Sequence, residues 1–106
     1  MKSIVTEHDT ICAICGKPAE CTHHLVFGNG LRKLADKDGL TIPTCNLCHN
    51  MGIATRKLHE NISAEALSKM VGQLAWEKDY YRKKIANSDT DEAREAFRKR
   101  YSISFL

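Results

Sequence analysis

The sequence has no hydrophobic run long enough to cross a bilayer, and its opening MKSIVTEHDT holds no apolar stretch of signal-peptide length. Export and membrane residence are therefore not expected. The expected setting is a reducing cytoplasm. The chain also lacks an even set of thiols. Five cysteines cannot all pair in a secreted disulfide framework, and in a reducing compartment clustered thiols bind zinc instead. Internal repeats, low-complexity tracts and long linkers are absent as well, which leaves one compact module with a helical extension. Length is the last shortage. A chain of 106 residues buries too little apolar surface to be comfortably stable alone, and small scaffolds of this kind are commonly tied by metal.

Charge is unevenly placed. The net charge is +3, yet over residues 1–55 the basic and acidic side chains cancel, so the excess lies in the C-terminal half. It gathers in Arg82-Lys83-Lys84 and Arg98-Lys99-Arg100. Such runs suit a polyanion, although acidic neighbours make a solvated helix face the competing reading.

The fold expected is a small α+β, zinc-bound ββα finger followed by a C-terminal helical tail, with modules at residues 1–61 and 62–106. Residues 20–27 (ECTHHLVF) and 40–45 (LTIPTC) carry β-branched residues and read as two short strands. Gly28-Asn29-Gly30 and Asp38-Gly39 are turn signals bracketing the excursion between them. After Cys45 strand character is lost and a helix begins, which Gly52 can interrupt. Ser63 is a plausible N-cap for a longer helix whose apolar positions Leu67, Met70, Val71, Leu74, Tyr81 and Ile85 share one face. Those positions are read as core or dimer contacts, and Gly72 as a weak point within the helix. A final helix starts at Asp89, which forms a capping-box pattern with Glu92 and should bury Ala93, Ala96 and Phe97. The tail packs on the module or on a partner, including a second copy of the chain.

Two Cys-x-x-Cys pairs, Cys12/Cys15 and Cys45/Cys48, supply the four thiolates of a closed tetrahedral structural zinc site. Each two-residue gap makes a knuckle that aims both sulfurs at one ion. Cys21 stands apart. It is either a small buried strand residue or a substitute for a knuckle cysteine in another register.

With four cysteines assigned to zinc, His23-His24 on the hairpin and His49 directly after the second knuckle remain. A knuckle fixes the start of the following helix, so His49 projects back over the hairpin. His23 and His49 can then converge on a second ion. Adjacent strand residues point to opposite faces, which leaves His24 beside that ion but off it.

The segments CAICG, CTHHLVFG and GLTIPTCNLCHN together resemble the HNH endonuclease signature, in the ββα-metal form with two cysteine knuckles, over about residues 12–60. The trailing GIATRKLHEN and EAFRKRYSISFL are similar to small prophage and recombination-associated members. The resemblance implies a phage- or prophage-encoded, metal-dependent nuclease that hydrolyses phosphodiester bonds in DNA, or in RNA. It implies His23 and His49 as ligands of a catalytic Mg2+, Mn2+, Ni2+ or Zn2+, His24 as the general base, and His59 as a further ligand. The family's middle asparagine has no counterpart, and Gly39 occupies its place. Either a main-chain carbonyl then orients His24 or activity is weakened.

The chemistry suits these residue types. A neutral histidine with an ordinary pKa of about 6.5 can take a proton from water at neutral pH, and a divalent ion neutralises phosphate charge. Three other readings compete. A non-catalytic zinc-finger module would hold nucleic acid through Arg32, Lys33, Lys37 and the basic tail, and would need only one ion. An inactive HNH relative would act as a scaffold. A zinc deaminase is suggested by Pro43-Thr44-Cys45-x-x-Cys48, but Thr44 intrudes and no His-x-Glu precedes it.

Overall fold

The computed structural model describes residues 2–83 and 91–106. Its elements run β1 (Cys21–His24), α1 (Leu31–Asp38), β2 (Thr41–Thr44), a short π-helical turn (Leu47–Met51), α2 (Ile62–Lys83) and α3 (Glu92–Tyr101). The result is a small α+β fold around a two-stranded sheet. The strands are antiparallel, with Cys21 opposite Thr44 and His24 opposite Thr41. Both are shorter than the sequence suggests, and after β1 the chain is turned away at Gly28, Asn29 and Gly30, which all adopt positive φ.

The excursion between the turns is not a loop. It folds into α1, whose Leu31, Leu34 and Ala35 recur at helical spacing and pack into the core, while Arg32, Lys33, Asp36 and Lys37 stay exposed. Gly39 ends the helix at φ +73°, and a Cβ there would strike the carbonyl oxygen of Lys2. No asparagine fits at this position, whatever its tolerance of the left-handed region.

After the second knuckle the helical turn is brief, and Gly52 terminates it in an extended conformation. The chain then doubles back. Leu58 and His59 donate their backbone N–H groups to the carbonyls of Cys48 (2.8 Å) and His49 (3.0 Å).

α2 is capped by Asn61, whose side-chain oxygen accepts the Ala64 N–H at 3.2 Å. Ser63, expected as the cap, lies inside the helix. Of the stripe expected to make core or dimer contacts, three positions stay out of this chain's own core. Leu67, Val71 and Leu74 are exposed, whereas Ser68, Gly72 and Gln73 are buried. The reason is closeness. Gly72 packs so tightly on the chain after β1 that a Cβ would stand 2.9 Å from Val26 Cγ2 and 3.0 Å from Leu25 Cβ. Ser68 donates to the Leu25 carbonyl at 2.8 Å, and Gln73 accepts the Phe105 N–H at 2.6 Å.

One hydrophobic core joins the hairpin region to the final helix: Val26, Ala35, Leu40, Phe97 and Tyr101, with Trp76 and Phe105 against it. Phe97 and Tyr101 stack at 4.4 Å between centroids. Ala93 and Phe97 are buried as expected, but Ala96 is only half-buried. Lys84, Ile85 and Asp89 lie outside the described residues, so the reading of Asp89 as a capping box falls there too. Asp38 at the end of α1 ties the helices together. Its carboxylate accepts from Arg100 (2.6 Å twice), Tyr101 (2.7 Å) and Trp76 (3.1 Å). Arg82 and Lys83 pair with Asp79 at 2.6 and 2.8 Å, and Arg98 pairs with Glu95. Much of the basic tail is thus matched by its own acidic neighbours. No helix among the described residues is long and apolar enough to cross a membrane.

Candidate metal centres

Cys12, Cys15, Cys45 and Cys48 form one cluster whose sulfur atoms all lie within 4.8 Å of one another. The first knuckle is closed by Gly16 N–H donating to the Cys12 carbonyl (2.9 Å), and it docks on β2 through Ala13 N–H and the Pro43 carbonyl (2.8 Å). Glu20 steadies the second knuckle by accepting the Asn46 N–H at 3.1 Å. A tetrahedral zinc with Zn–S bonds of about 2.3 Å has S–S edges of about 3.8 Å. The Cys15 and Cys45 sulfurs are 3.7 Å apart, so the residues fit that ion.

The thiols are unequally prepared. Burial works to raise Cys12, but backbone N–H groups of Cys15, Cys45 and Ile14 outweigh it and bring the thiol down to about 6. Cys45 is lowered as well, first by the Cys48 backbone N–H. Burial pushes Cys48 up to about 11, opposed by a hydrogen bond from Arg56. A cation among the sulfurs is what lets all four be thiolates. Cys21 takes no part. It sits on β1 with its sulfur 3.2 Å from Thr44 Oγ1 and 3.4 Å from His49 Nδ1.

His23, His49 and His59 form the second cluster, each offering a ring nitrogen within 4.8 Å of the others. β1 supplies His23, the turn after the second knuckle supplies His49, and the doubled-back segment lays His59 beside it at 4.7 Å between ring centroids.

The protonation of His23 can be assigned from its neighbours. Its Nε2 lies 2.8 Å from the Ser68 hydroxyl oxygen, and that hydroxyl gives its one proton to the Leu25 carbonyl. Ser68 must therefore accept, so Nε2 carries the imidazole proton. Nδ1 is left as a bare lone pair. It is the one buried side-chain polar atom without a partner among the described residues. Desolvation, then repulsion from His59 and His49, depresses the His23 pKa to about 3 and keeps the ring neutral. A buried acceptor left unpaired costs about 1–3 kcal/mol, and a metal ion would satisfy it.

The other two histidines each have a polar neighbour at Nδ1. His49 Nδ1 faces the Cys21 sulfur at 3.4 Å, and His59 Nδ1 faces the Glu65 carboxylate at 3.7 Å. Burial lowers the His49 pKa as well. Neighbours fixing one ring nitrogen while the other is free is how metal-binding histidines are oriented.

His24 lies outside this cluster, on the opposite side of β1. Arg32 Nε donates to its Nδ1 at 3.4 Å, and its Nε2 is 3.0 Å from Asp36 Oδ1. Arginine can only donate, so Nδ1 is the acceptor and the Nε2–H points at Asp36. The orienting group is thus a side chain of α1, and not a main-chain carbonyl. His24 still meets the cluster, because His24, Arg32, His49 and His59 line one cavity of about 170 Å3 with Thr22, Phe27 and Asn50.

Comparison of the chain with protein-family models, with curated proteins and with solved structures found no match. The site is therefore read from its own geometry. Sequence reasoning missed Ser68, Glu65 and Asp36, each three or more residues from any cysteine or histidine motif. Only the helical spacing of Leu31, Leu34 and Ala35 could have signalled that Asp36 would be delivered to His24.

Proposed function

We propose that this chain is a metal-dependent endonuclease of the HNH, ββα-metal type that hydrolyses phosphodiester bonds in DNA, as the resemblance to prophage nucleases suggests. In this reading β1, β2 and the turn at Leu47–Met51 make the finger, and the four cysteines hold a structural zinc. The observation that carries the reading is the bare Nδ1 of His23, clustered with His49 and His59, the latter two lining one cavity with His24, whose Nε2 lies 3.0 Å from Asp36. A structural finger alone gives those groups no work.

His23, His49 and His59 would hold a divalent ion, which supplies neutralisation of phosphate charge and assistance to the departing 3′-oxygen. The chain's own groups do the rest. His24 Nδ1 accepts the proton of the attacking water. Asp36 keeps the imidazole in the required tautomer and stabilises the cation that forms. The Asp36 carboxyl is held below the usual carboxylate range, first by its hydrogen bond from His24, so it stays ionised for that role. Arg32, now on His24, reaches an incoming phosphate and releases Nδ1 as it does so.

The test is incubation of zinc-loaded protein with supercoiled plasmid in magnesium, manganese, nickel or zinc, beside His24→Ala. Nicking by the parent that the variant lacks supports the proposal. If the parent cuts neither DNA nor RNA with any of these ions, the non-catalytic zinc-finger reading takes its place.

A further inference from the structure

The sequence places its basic runs in the C-terminal tail, but Arg82, Lys83, Arg98 and Arg100 are all in ion pairs. Another basic surface lies against the site. Lys33 and Lys37 are exposed on the solvent face of α1, and neither has an ion pair among the described residues. With His24, Arg32 and Asp36 they line a hollow of about 390 Å3. His24 and Arg32 also line the smaller histidine cavity, so the two hollows meet at the same pair of side chains.

We propose that the exposed face of α1 is the DNA-docking surface, seating the phosphate backbone next to the phosphodiester at His24, with the C-terminal basic runs contributing little. The inference deepens the nuclease reading and rests on it for the position of the cut phosphate. Charge complementarity and continuity with the cavity carry it. Three cations face one carboxylate, Asp36, and that carboxylate is engaged by His24. A strand lying over α1 would meet Lys33 and Lys37 as point charges for successive phosphates, while Arg32 bridges to the phosphate at His24.

The experiment measures binding of the full zinc-loaded chain to a fluorescein-labelled 20-base-pair duplex by anisotropy across a salt series, with no further divalent ion. Each lysine–phosphate contact contributes about 0.9 to the slope of log affinity against log salt. Lys33→Gln with Lys37→Gln should therefore lower the slope by about 1.8 and the affinity roughly ten- to sixtyfold at 0.1 M salt. Arg82→Gln with Lys83→Gln should leave both near the parent values. The reverse pattern, or an unchanged slope in the α1 double variant, overturns the inference, as does preference for single-stranded RNA over the duplex. The two proposals fail separately. Binding that depends on α1 without cleavage in any metal removes the nuclease reading alone, and cleavage by a double variant of parental affinity removes the docking surface alone.

Discussion

The imidazole of His23 and the hydroxyl of Ser68, 2.8 Å apart across the junction of β1 and α2, fix which nitrogen of the histidine is free. Because Ser68 also donates to Leu25, the hydroxyl decides the tautomer and turns His23 Nδ1 into the acceptor that lacks a partner. Ser68→Ala removes that decision without touching any ring. Loss of such a partner typically costs 10- to 100-fold in metal affinity. Nickel titration of the zinc-loaded protein should show that weakening. Equal affinity in parent and variant would mean that the hydroxyl does not set the site.

His23 also makes stability depend on pH in a stated direction. Its pKa is depressed to about 3 in the folded chain, against about 6.5 unfolded, so between those values the unfolded chain binds the extra proton. Stability is complete above pH 6.5 and falls as pH drops, by roughly 1.4 kcal/mol per unit while only this group is considered. Thermal melts of parent and His23→Asn from pH 7.5 to 5.5 isolate the effect, since the variant should lose less over that range. Parallel losses would assign the pH dependence to other groups.

The thiolate cluster should behave as part of folding. Cys45→Ala removes one of four sulfurs that lie within 4.8 Å of one another, and structural zinc binding in small domains is inseparable from folding. Loss of tertiary circular dichroism is expected in Cys45→Ala and on strong chelation. Cys21→Ala, outside the shell, should keep its zinc and its fold. A Cys45→Ala protein that stays folded would remove the cluster from any structural role.

Asp38 is the expected mechanical weak point where α1 meets α2 and α3. It accepts from Arg100, Tyr101 and Trp76 at once, and its side chain is only 13% exposed. Asp38→Ala should cost about 2–4 kcal/mol, because three donors lose one charged acceptor. Tyr101→Phe, which removes a single bond, should cost about 1 kcal/mol. Urea melts giving the two variants equal stability would contradict this ordering.

Legibility followed range along the chain. The knuckles were readable because both sulfurs of each pair sit within one turn, and the strands because β-branched residues cluster locally. Gly52 as a terminator was readable for the same reason. For α2 the apolar stripe does not mark the face this chain buries. Leu67, Val71 and Leu74 give the stronger apolar stripe, but helix docking was decided by Gly72 and Ser68, whose small size allows close approach to Leu25 and Val26. Ser63 looked like a cap because propensity cannot tell which of two nearby polar residues turns its oxygen inward, and Asn61 does. At Gly39 a side chain is barred by Lys2, some 37 positions away, which no local pattern contains. Asp36 reaches His24 Nε2 because α1 brings it there.

The sharpest prediction separates three ways of disabling the proposed centre. His49→Ala removes a group of the histidine cluster, so metal affinity and cleavage should fall together, and excess metal should restore part of the rate. His24→Ala leaves the cluster whole and should still bind metal and DNA, yet lose the proton acceptor that general-base catalysis makes worth about 10²- to 10⁴-fold. No metal concentration should recover it. Asp36→Asn falls between them, because the amide can still accept from His24 Nε2–H but cannot stabilise the imidazolium by charge. Its kcat should drop with KM and metal affinity near parental values, and Asp36→Glu should recover part of kcat. In the parent, log kcat/KM should rise with pH where a histidine loses its proton and then level. That rise should flatten in His24→Ala. Cleavage by His24→Ala at the parental rate in matched metal would remove His24 as the base, and with it the assigned role of Asp36.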